Sequence, residues 1–312
     1  MYNFYDLILF PLISAYFCIL IFNSNSIFME TRENKILIPF DFSEQSTIAL
    51  DQSYNIAKMA NAEIHLLHVI IENNVLWGLF SKHEQDDLEI KLKSKLRDFA
   101  DVIEKKSGVK VTPIVEKGKL VETILDTAER LNVKFLIVGT SGNQESKFKV
   151  IGSNSLRIIR DSKCPVITIK GKHHREGCHN IVLPLDLTKE TREKVNYSIY
   201  FAKYFGSKVH AVTMNFASDT YIINRLKRQL QQVSDYIKSQ GVDCTENFLN
   251  TQSGNSNMCN ALLEFSHKVE ADVIIIMTQQ ESEVIKYFVG SLAKEIIHSS
   301  DIPVMSIVPK GK

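Results

Sequence analysis

Ile36-Leu37-Ile38-Pro39-Phe40-Asp41 and Ile181-Val182-Leu183-Pro184-Leu185-Asp186 are one hexapeptide pattern written twice, 145 residues apart. The same offset carries into the next apolar run, where His65 in IHLLHV aligns with His210 in VHAVTM. Farther on, Gly108-Val109 matches Gly241-Val242 at an offset of 133, and GSNSLRII from Gly152 matches GSLAKEII from Gly290 at 138. Pro165-Val166 and Pro303-Val304 keep that last offset. Apolar blocks that stay in register while the spacing changes only between them mark a duplicated unit with indels in its connections. A chain of 312 residues has room for two such domains.

Each copy alternates short runs rich in Ile, Val and Leu with longer stretches of helical period. The first copy predicts strands at 36–40, 63–69, 109–115, 134–139 and 165–170; the second predicts them at 180–185, 207–213, 243–249, 272–277 and 303–308. Their near-continuous apolar character is that of strands covered on both faces. Between them, Leu120, Val121, Ile124, Leu125, Ala128 and Leu131 recur at helical spacing and form one core-facing stripe. Strand alternating with helix implies crossover connections, hence an α/β fold of two tandem doubly wound parallel five-stranded sheets. The first domain is set at 34–172 and the second at 179–312, joined by the polar linker Gly171–Cys178.

Composition narrows the function. With 44% apolar and 23% charged residues and a net charge of +1, the chain has neither the basic surface of a nucleic-acid binder nor an acidic tail. Its five cysteines are odd in number and scattered, without a CxxC, which fits a reducing compartment and a cytoplasmic location. Residues 1–33 stand apart as an apolar extension. Leu7 to Phe22 is shorter than the roughly 20 residues of a membrane span, and no Lys or Arg precedes Arg32. Three readings are open: a misplaced start with Met29 as the true first residue, which is preferred; an inner-membrane anchor on residues 7–22, with Arg32 and Lys35 keeping the body cytoplasmic; or a weak signal peptide.

The stretch that carries chemistry is Gly139-Thr140-Ser141-Gly142, nine further residues, then Gly152-Ser153-Asn154. It leaves a predicted strand and enters a predicted helix, so backbone N–H groups gather at a helix N-terminus, where an anion such as phosphate is favoured. Glycines allow close backbone approach. Ser153 adds a hydroxyl, and Lys147 and Lys149 add positive charge. Asp41 ends the first strand at the same sheet edge, where a carboxylate suits ribose hydroxyls. Two plainer readings stand beside these: a glycine-rich connection that only packs closely, and an Asp41 that only caps the following helix.

With these residues in place the chain resembles a tandem universal stress protein over about residues 34–310. The shared features are the PxD strand end at Pro39–Asp41, the G-x2-G-x9-G-[ST] loop, and Cys164-Pro165-Val166 opening the last strand. The resemblance implies an adenine-nucleotide alpha-hydrolase-like sheet of order 3-2-1-4-5, and ATP held with Mg²⁺ by the loop, by the Asp and by the end of the second strand at Val69. The expected nucleotide set is Pro39, Phe40, Asp41, Val69, Gly139, Thr140, Gly142, Lys147, Lys149, Gly152, Ser153 and Asn154. Phe40 departs from the family, where a smaller residue is usual. The resemblance also implies pairing of the final strands, here an intrachain pseudo-dimer through 165–170 and 303–308. In the second copy Met277 and Gln280 replace the first two glycines, and Glu281 and Glu283 would repel phosphate, so ATP is expected in the first domain only.

The reading that results is a nucleotide-responsive regulatory module of stress response, with an unidentified protein partner, no nucleic acid, and a homodimer of chains as a further option. A ligand-free scaffold and a weak ATPase or nucleotidyl transferase are the alternatives. No GxxxxGK[ST], HIGH or KMSKS motif is present, and no catalytic residue is assigned. His65 and His68 fall on opposite faces of a strand and do not make a site. His173, His174, Cys178 and His179 in the linker lack a second ligand pair, so no metal is expected there. Trp77 is read as a packing or partner residue.

Overall fold

The computed structural model describes residues 32–71, 81–140, 152–171, 177–185, 191–216, 218–278 and 290–307. The first half runs β1 (Glu33–Pro39), α1 (Glu44–Met59), β2 (Glu63–Ile71), α2 (Lys82–Ser107), β3 (Val111–Gly118), α3 (Leu120–Arg130), β4 (Val133–Gly139), α4 (Ser153–Asp161) and β5 (Val166–Ile169). The second runs β6 (Asn180–Leu185), α5 (Thr191–Phe205), β7 (Lys208–Asn215), α6 (Thr220–Ser239), β8 (Cys244–Asn250), α7 (Asn255–Lys268), β9 (Val273–Met277), α8 (Ser291–Ser299) and β10 (Val304–Ile307). Expectations placed on residues 7–22, Met29, Trp77, Gly142, Lys147, Lys149, His173, His174, Asp186, Gln280, Glu281 and Glu283 lie outside the described residues. Among the described residues no helix is long and apolar enough to cross a membrane.

The ten strands form one sheet of order β3-β2-β1-β4-β5-β10-β9-β6-β7-β8. Each half therefore has the order 3-2-1-4-5, with every pair inside it parallel. The halves meet where β5 and β10 pair antiparallel, Thr168 against Val304 and Ile167 against Met305. This is the pseudo-dimer that the family resemblance implied.

Period-two alternation divides the core. Ile36, Ile38, Ile64, Leu66, Phe135 and Ile137 face the layer that holds α1, α2, α5 and α6. Leu37, Leu67, Val69, Leu136 and Val138 face α3, α4, α7 and α8. Ile36, Leu37 and Ile38 are consecutive and all fully buried. Burying each such side chain is worth about 1.5–3 kcal/mol, which explains why β1 shows no polar face in sequence. The boundaries differ from expectation at β3, which starts at Val111 and not at residue 109. Gly108 closes α2 in a left-handed conformation (φ 70°), and the Val109 amide is spent on the Ser107 hydroxyl at 3.1 Å.

Side chains also tie the halves together. Phe135 of β4 lies against Phe201 and Phe205 of α5, with centroids at 5.4 and 6.4 Å. Next to it the buried Lys134 donates to Asn34 Oδ1 at 2.7 Å and sits 4.4 Å from the Tyr204 ring centroid, while the Tyr204 hydroxyl donates to the Ala60 carbonyl. The Thr168 hydroxyl donates to the Val304 carbonyl at 3.2 Å across the seam.

Candidate functional site

In the order 3-2-1-4-5 the chain turns to opposite sides after β1 and after β4, and these strands are neighbours. A crevice opens outside the C-terminal ends of strands at such a switch point. Asp41 follows β1 and Gly139 ends β4, so the two candidate motifs flank this crevice, although about a hundred residues of chain separate them.

Asp41 is exposed. Its Oδ1 accepts the Ser43 amide at 3.0 Å, and Ser43 is the N-cap of α1, its hydroxyl accepting the Ser46 amide at 3.2 Å. Partial burial pushes the Asp41 pKa up, but the bonds from Ser43 and Ser46 outweigh it and hold the carboxyl below its ordinary value of 3.8. The result is a carboxylate ionised at neutral pH, anchored at one oxygen and open on its solvent side. Capping and ligand binding, set apart as rivals in sequence, are thus compatible at this residue. Between Asp41 and Ser43, Phe42 adopts a left-handed conformation (φ 64°), a sparsely populated state for a bulky residue. No residue type in the sequence signals it.

Phe40 is 2% exposed. Its ring packs among Phe42 and Phe99 at 5.0 and 5.4 Å, so only its backbone faces the crevice. That backbone is engaged as well: the Phe40 amide donates to the Leu67 carbonyl at 2.7 Å, and its carbonyl lies 2.8 Å from His68 Nδ1. A carbonyl only accepts, so Nδ1 carries the proton. His68 is thereby a brace for the β1 end, a role hidden in sequence because His65 and His68 look alike there. Val69 is 9% exposed near the end of β2, and Pro39 closes β1.

At β4 the structure shows a packing role for two residues. Gly139 was read as room for phosphate, yet a Cβ there would stand 2.5 Å from the Gln45 carbonyl oxygen in the first turn of α1. The glycine lets helix and strand touch. Thr140 is buried, with its amide bonded to the Ile169 carbonyl at 2.8 Å and its hydroxyl 3.5 Å from the same oxygen. Thr278 repeats this arrangement on Ile307 in the second half. A threonine that recurs where the glycines do not is a stitch between neighbouring strands, and comparing the two copies in sequence could have revealed it.

Gly152, Ser153 and Asn154 are exposed at the start of α4. Gly152 is the N-cap, and no side chain caps this helix. The first helical bond, Leu156 amide to Gly152 carbonyl at 3.1 Å, comes a turn later, so the amides before it point outward without intrahelical partners. A Cβ on Gly152 would meet nothing closer than the Ser155 hydroxyl at 3.9 Å, and its φ of −54° suits any residue. Among the described residues nothing demands glycine here. Chemically, the edge offers an ionised carboxylate at one side and, at the other, amide donors without partners inside their own helix. Gly142, Lys147 and Lys149 belong to the segment between, outside the described residues.

The second half differs at this edge. Met277 stands at the place of Gly139, and its side chain packs against the core layer of α1 and α5. The Gly290 amide donates to the Thr278 carbonyl at 2.9 Å, tying the N-cap of α8 back to the end of β9. No equivalent bond is made by Gly152 among the described residues.

The sequence profile of the universal stress protein family matches residues 33–170. Universal stress protein YxiE of Bacillus subtilis is 30% identical over 146 residues, 44% of this chain and 99% of the relative. Universal stress protein MJ0577 of Methanocaldococcus jannaschii is 32% identical over 161 residues, 46% of this chain and 99% of the relative. Over both halves together, the crystal structure of a universal stress protein from Archaeoglobus fulgidus shares the fold: TM-score 0.68 at 23% identity, covering 87% of this chain and 95% of that one.

Proposed function

The chain belongs to the universal stress protein family, and on that premise we propose that its first half binds ATP, with Mg²⁺, as a nucleotide-responsive module of stress response. The observation that carries this reading is the pairing of an uncapped α4 N-terminus with the ionised Asp41 carboxylate across the β1–β4 crevice. The α4 amides would hold phosphate oxygens, helped by the positive end of the helix dipole. Asp41 would accept from ribose hydroxyls on its solvent side. The Ser153 hydroxyl would donate at the phosphate end. The magnesium ion would supply charge neutralisation on the phosphates.

Binding without turnover is the proposed activity, and the second half acts as the partner against which the first is braced. The tie between Gly290 and Thr278 and the Met277 side chain at the place of Gly139 favour this division. Nucleotide bound at the 139–153 connection would change the surface that a protein partner reads. The location proposed for this work is the cytoplasm.

Calorimetry with Mg²⁺ and ATP tests the reading, on the chain beginning at Met29 and on Gly152→Val and Asp41→Ala. One site per chain is expected, abolished by Gly152→Val, whose added Cβ meets no described atom closer than the Ser155 hydroxyl at 3.9 Å. Binding that persists in Gly152→Val would move the phosphates away from α4. No binding by the parent chain would leave a scaffold.

A further inference from the structure

The sheet ends in β3 on one side and in β8 on the other. Successive residues of a strand aim their backbone groups to opposite sides. In β3 the Lys110 carbonyl accepts the Ile64 amide at 2.9 Å, so the even-numbered residues serve β2, and Val111, Pro113, Val115 and Lys117 aim outward. Pro113 has no N–H, and a proline in the outward set blunts an edge against a further strand. In β8 the Asp243 carbonyl accepts the Val209 amide at 2.8 Å, and the Thr251 amide donates to the Asn215 carbonyl at 2.9 Å. Here the odd-numbered residues serve β7, and Cys244, Glu246, Phe248 and Asn250 aim their N–H and C=O groups outward, with no described strand beside them. At the repeat offset of 133, Glu246 is the counterpart of Pro113. The block built into one edge is missing from the other.

An open groove of about 680 Å³ lies along this edge between α6 and β8, lined by Asn224, Lys227, Arg228, Gln231, Glu246 and Phe248. Lys227 Nζ stands 5.4 Å from the Phe248 ring centroid, and Arg228 Nε donates to the Asn224 carbonyl at 3.4 Å. Among the described residues neither cation has a carboxylate partner. Glu246 accepts Lys238 at 3.5 Å and is otherwise exposed. Tyr221, 68% exposed, extends the same face of α6, because Tyr221, Asn224, Arg228 and Gln231 recur at helical spacing. The edge thus presents unpaired backbone, two free cations, a carboxylate and two aromatic rings on one surface.

We propose that β8 pairs antiparallel with β8 of a second copy of this chain, about a twofold axis at Asn247. The outward set 244, 246, 248 and 250 is centred on Asn247, so this is the register that uses all of it. Glu246 then lies opposite Phe248 of the second copy, and Cys244 opposite Asn250, each pair exchanging both backbone bonds. Side chains directly opposite share a face, so Glu246 meets the ring beside which the other copy's Lys227 stands. That ion pair forms twice, which is the self-complementarity an isologous interface needs. The two grooves close on each other, with α6 beside its own copy on the same side of the sheet. Because Pro113 blocks β3, pairing stops at two copies and does not continue into a fibre. The surface is far along the sheet from the β1–β4 crevice and does not depend on nucleotide.

Sedimentation equilibrium of the full chain over a concentration series is expected to show a reversible monomer–dimer equilibrium. Amide exchange followed by NMR should slow with concentration at Cys244, Glu246, Phe248 and Asn250 and stay constant at Thr245, Asn247 and Leu249, which bond to β7 in either state. Glu246→Pro, which copies Pro113 onto this edge, is expected to weaken association by roughly tenfold or more through the lost donors. Glu246→Lys and Lys227→Glu each set like charges together twice and should weaken it by a similar factor. Combining those two changes exchanges the charges and should restore association to within roughly threefold of the parent. Should Glu246→Pro fail to fold, the charge exchange makes the same test. A chain that stays monomeric at every concentration, a dimer indifferent to Glu246→Lys, edge amides that exchange at a constant rate, or a double variant no better than the singles would each overturn the proposal.

Discussion

Gly139 stands so close to Gln45 that a Cβ on it would lie 2.5 Å from the Gln45 carbonyl oxygen and 2.8 Å from the carbonyl carbon. Both are backbone atoms in the first turn of a helix, which cannot step aside cheaply. Gly139→Ala is therefore expected to destabilise the protein by about 1–3 kcal/mol, the usual range for overpacking. Gly152→Ala should stay within about 0.5 kcal/mol, as surface changes do. Urea denaturation without nucleotide separates the two, and equal costs would show that α1 does not set the Gly139 position.

Asp41 gives a pH signature. Its folded pKa lies below the ordinary carboxylate value, so on acidification the unfolded chain takes up the proton first. The stabilisation is complete above the unfolded value near 4 and disappears as pH falls through the folded one. Thermal midpoints of the parent chain and Asp41→Ala should differ at pH 7 and converge toward pH 3. A constant gap would mean the residue acts through shape alone.

His65 and His210 hold the same place in β2 and β7 but keep different company. His210 Nε2 lies 3.1 Å from Asn180 Oδ1 and its Nδ1 lies 2.8 Å from the Thr245 hydroxyl. Both ring nitrogens of His65 lack a hydrogen bond; Glu63 is 3.6 Å away, and the Thr112 hydroxyl is turned to Glu63 instead. His65→Leu is expected to be close to neutral at pH 7, and His210→Leu to cost about 1–3 kcal/mol by stranding its partners. Burial pushes the pKa of both histidines below 6.5, although Glu63 pulls His65 back up in part. Each prefers to be neutral when folded, so stability falls as pH drops below about 6.5. His65→Leu should flatten that slope, which denaturation at pH 5 and pH 7 would measure.

Lys134 is 4% exposed, and the side-chain groups around it are an amide and an aromatic ring, Asn34 and Tyr204. Burial pulls its pKa below the usual 10.5. Replacing it by Met removes a desolvated charge and should be neutral or slightly stabilising. Tyr204→Leu takes away the ring and the donor to the Ala60 carbonyl, at a cost of about 1–3 kcal/mol. A double-mutant cycle should give a coupling of about 0.5–2 kcal/mol between Lys134 and Tyr204. Zero coupling would reduce their contact to mere proximity.

The strands were legible because chains buried on both faces leave no polar positions to blur the pattern, as in Ile36-Leu37-Ile38. Both their order and the seam followed from resemblance. The crevice was legible in outline: Asp41 and Gly152-Ser153 do stand at one sheet edge. What each residue does there was less so. Gly139 meets a helix turn more than ninety residues earlier in the chain, and Thr140 makes a strand bond repeated in the other half. Contacts such as Phe135 with Phe201 or Lys134 with Tyr204 join residues some seventy positions apart on different repeats. No local pattern encodes them, because their partners are chosen by the crossing of α5 over the seam.

The β5–β10 pairing has an evolutionary side. In an assembly of identical subunits every substitution near the axis is made twice, so a ring gained on one side is gained on the other. Joining the halves in one chain lifts that constraint and, by tethering, keeps the partner at high effective concentration however the two drift apart. Phenylalanine at 135 could then coexist with valine at 273, and glycine at 139 with methionine at 277. Duplication gave this protein the liberty to be lopsided, with each half answerable for its own residues.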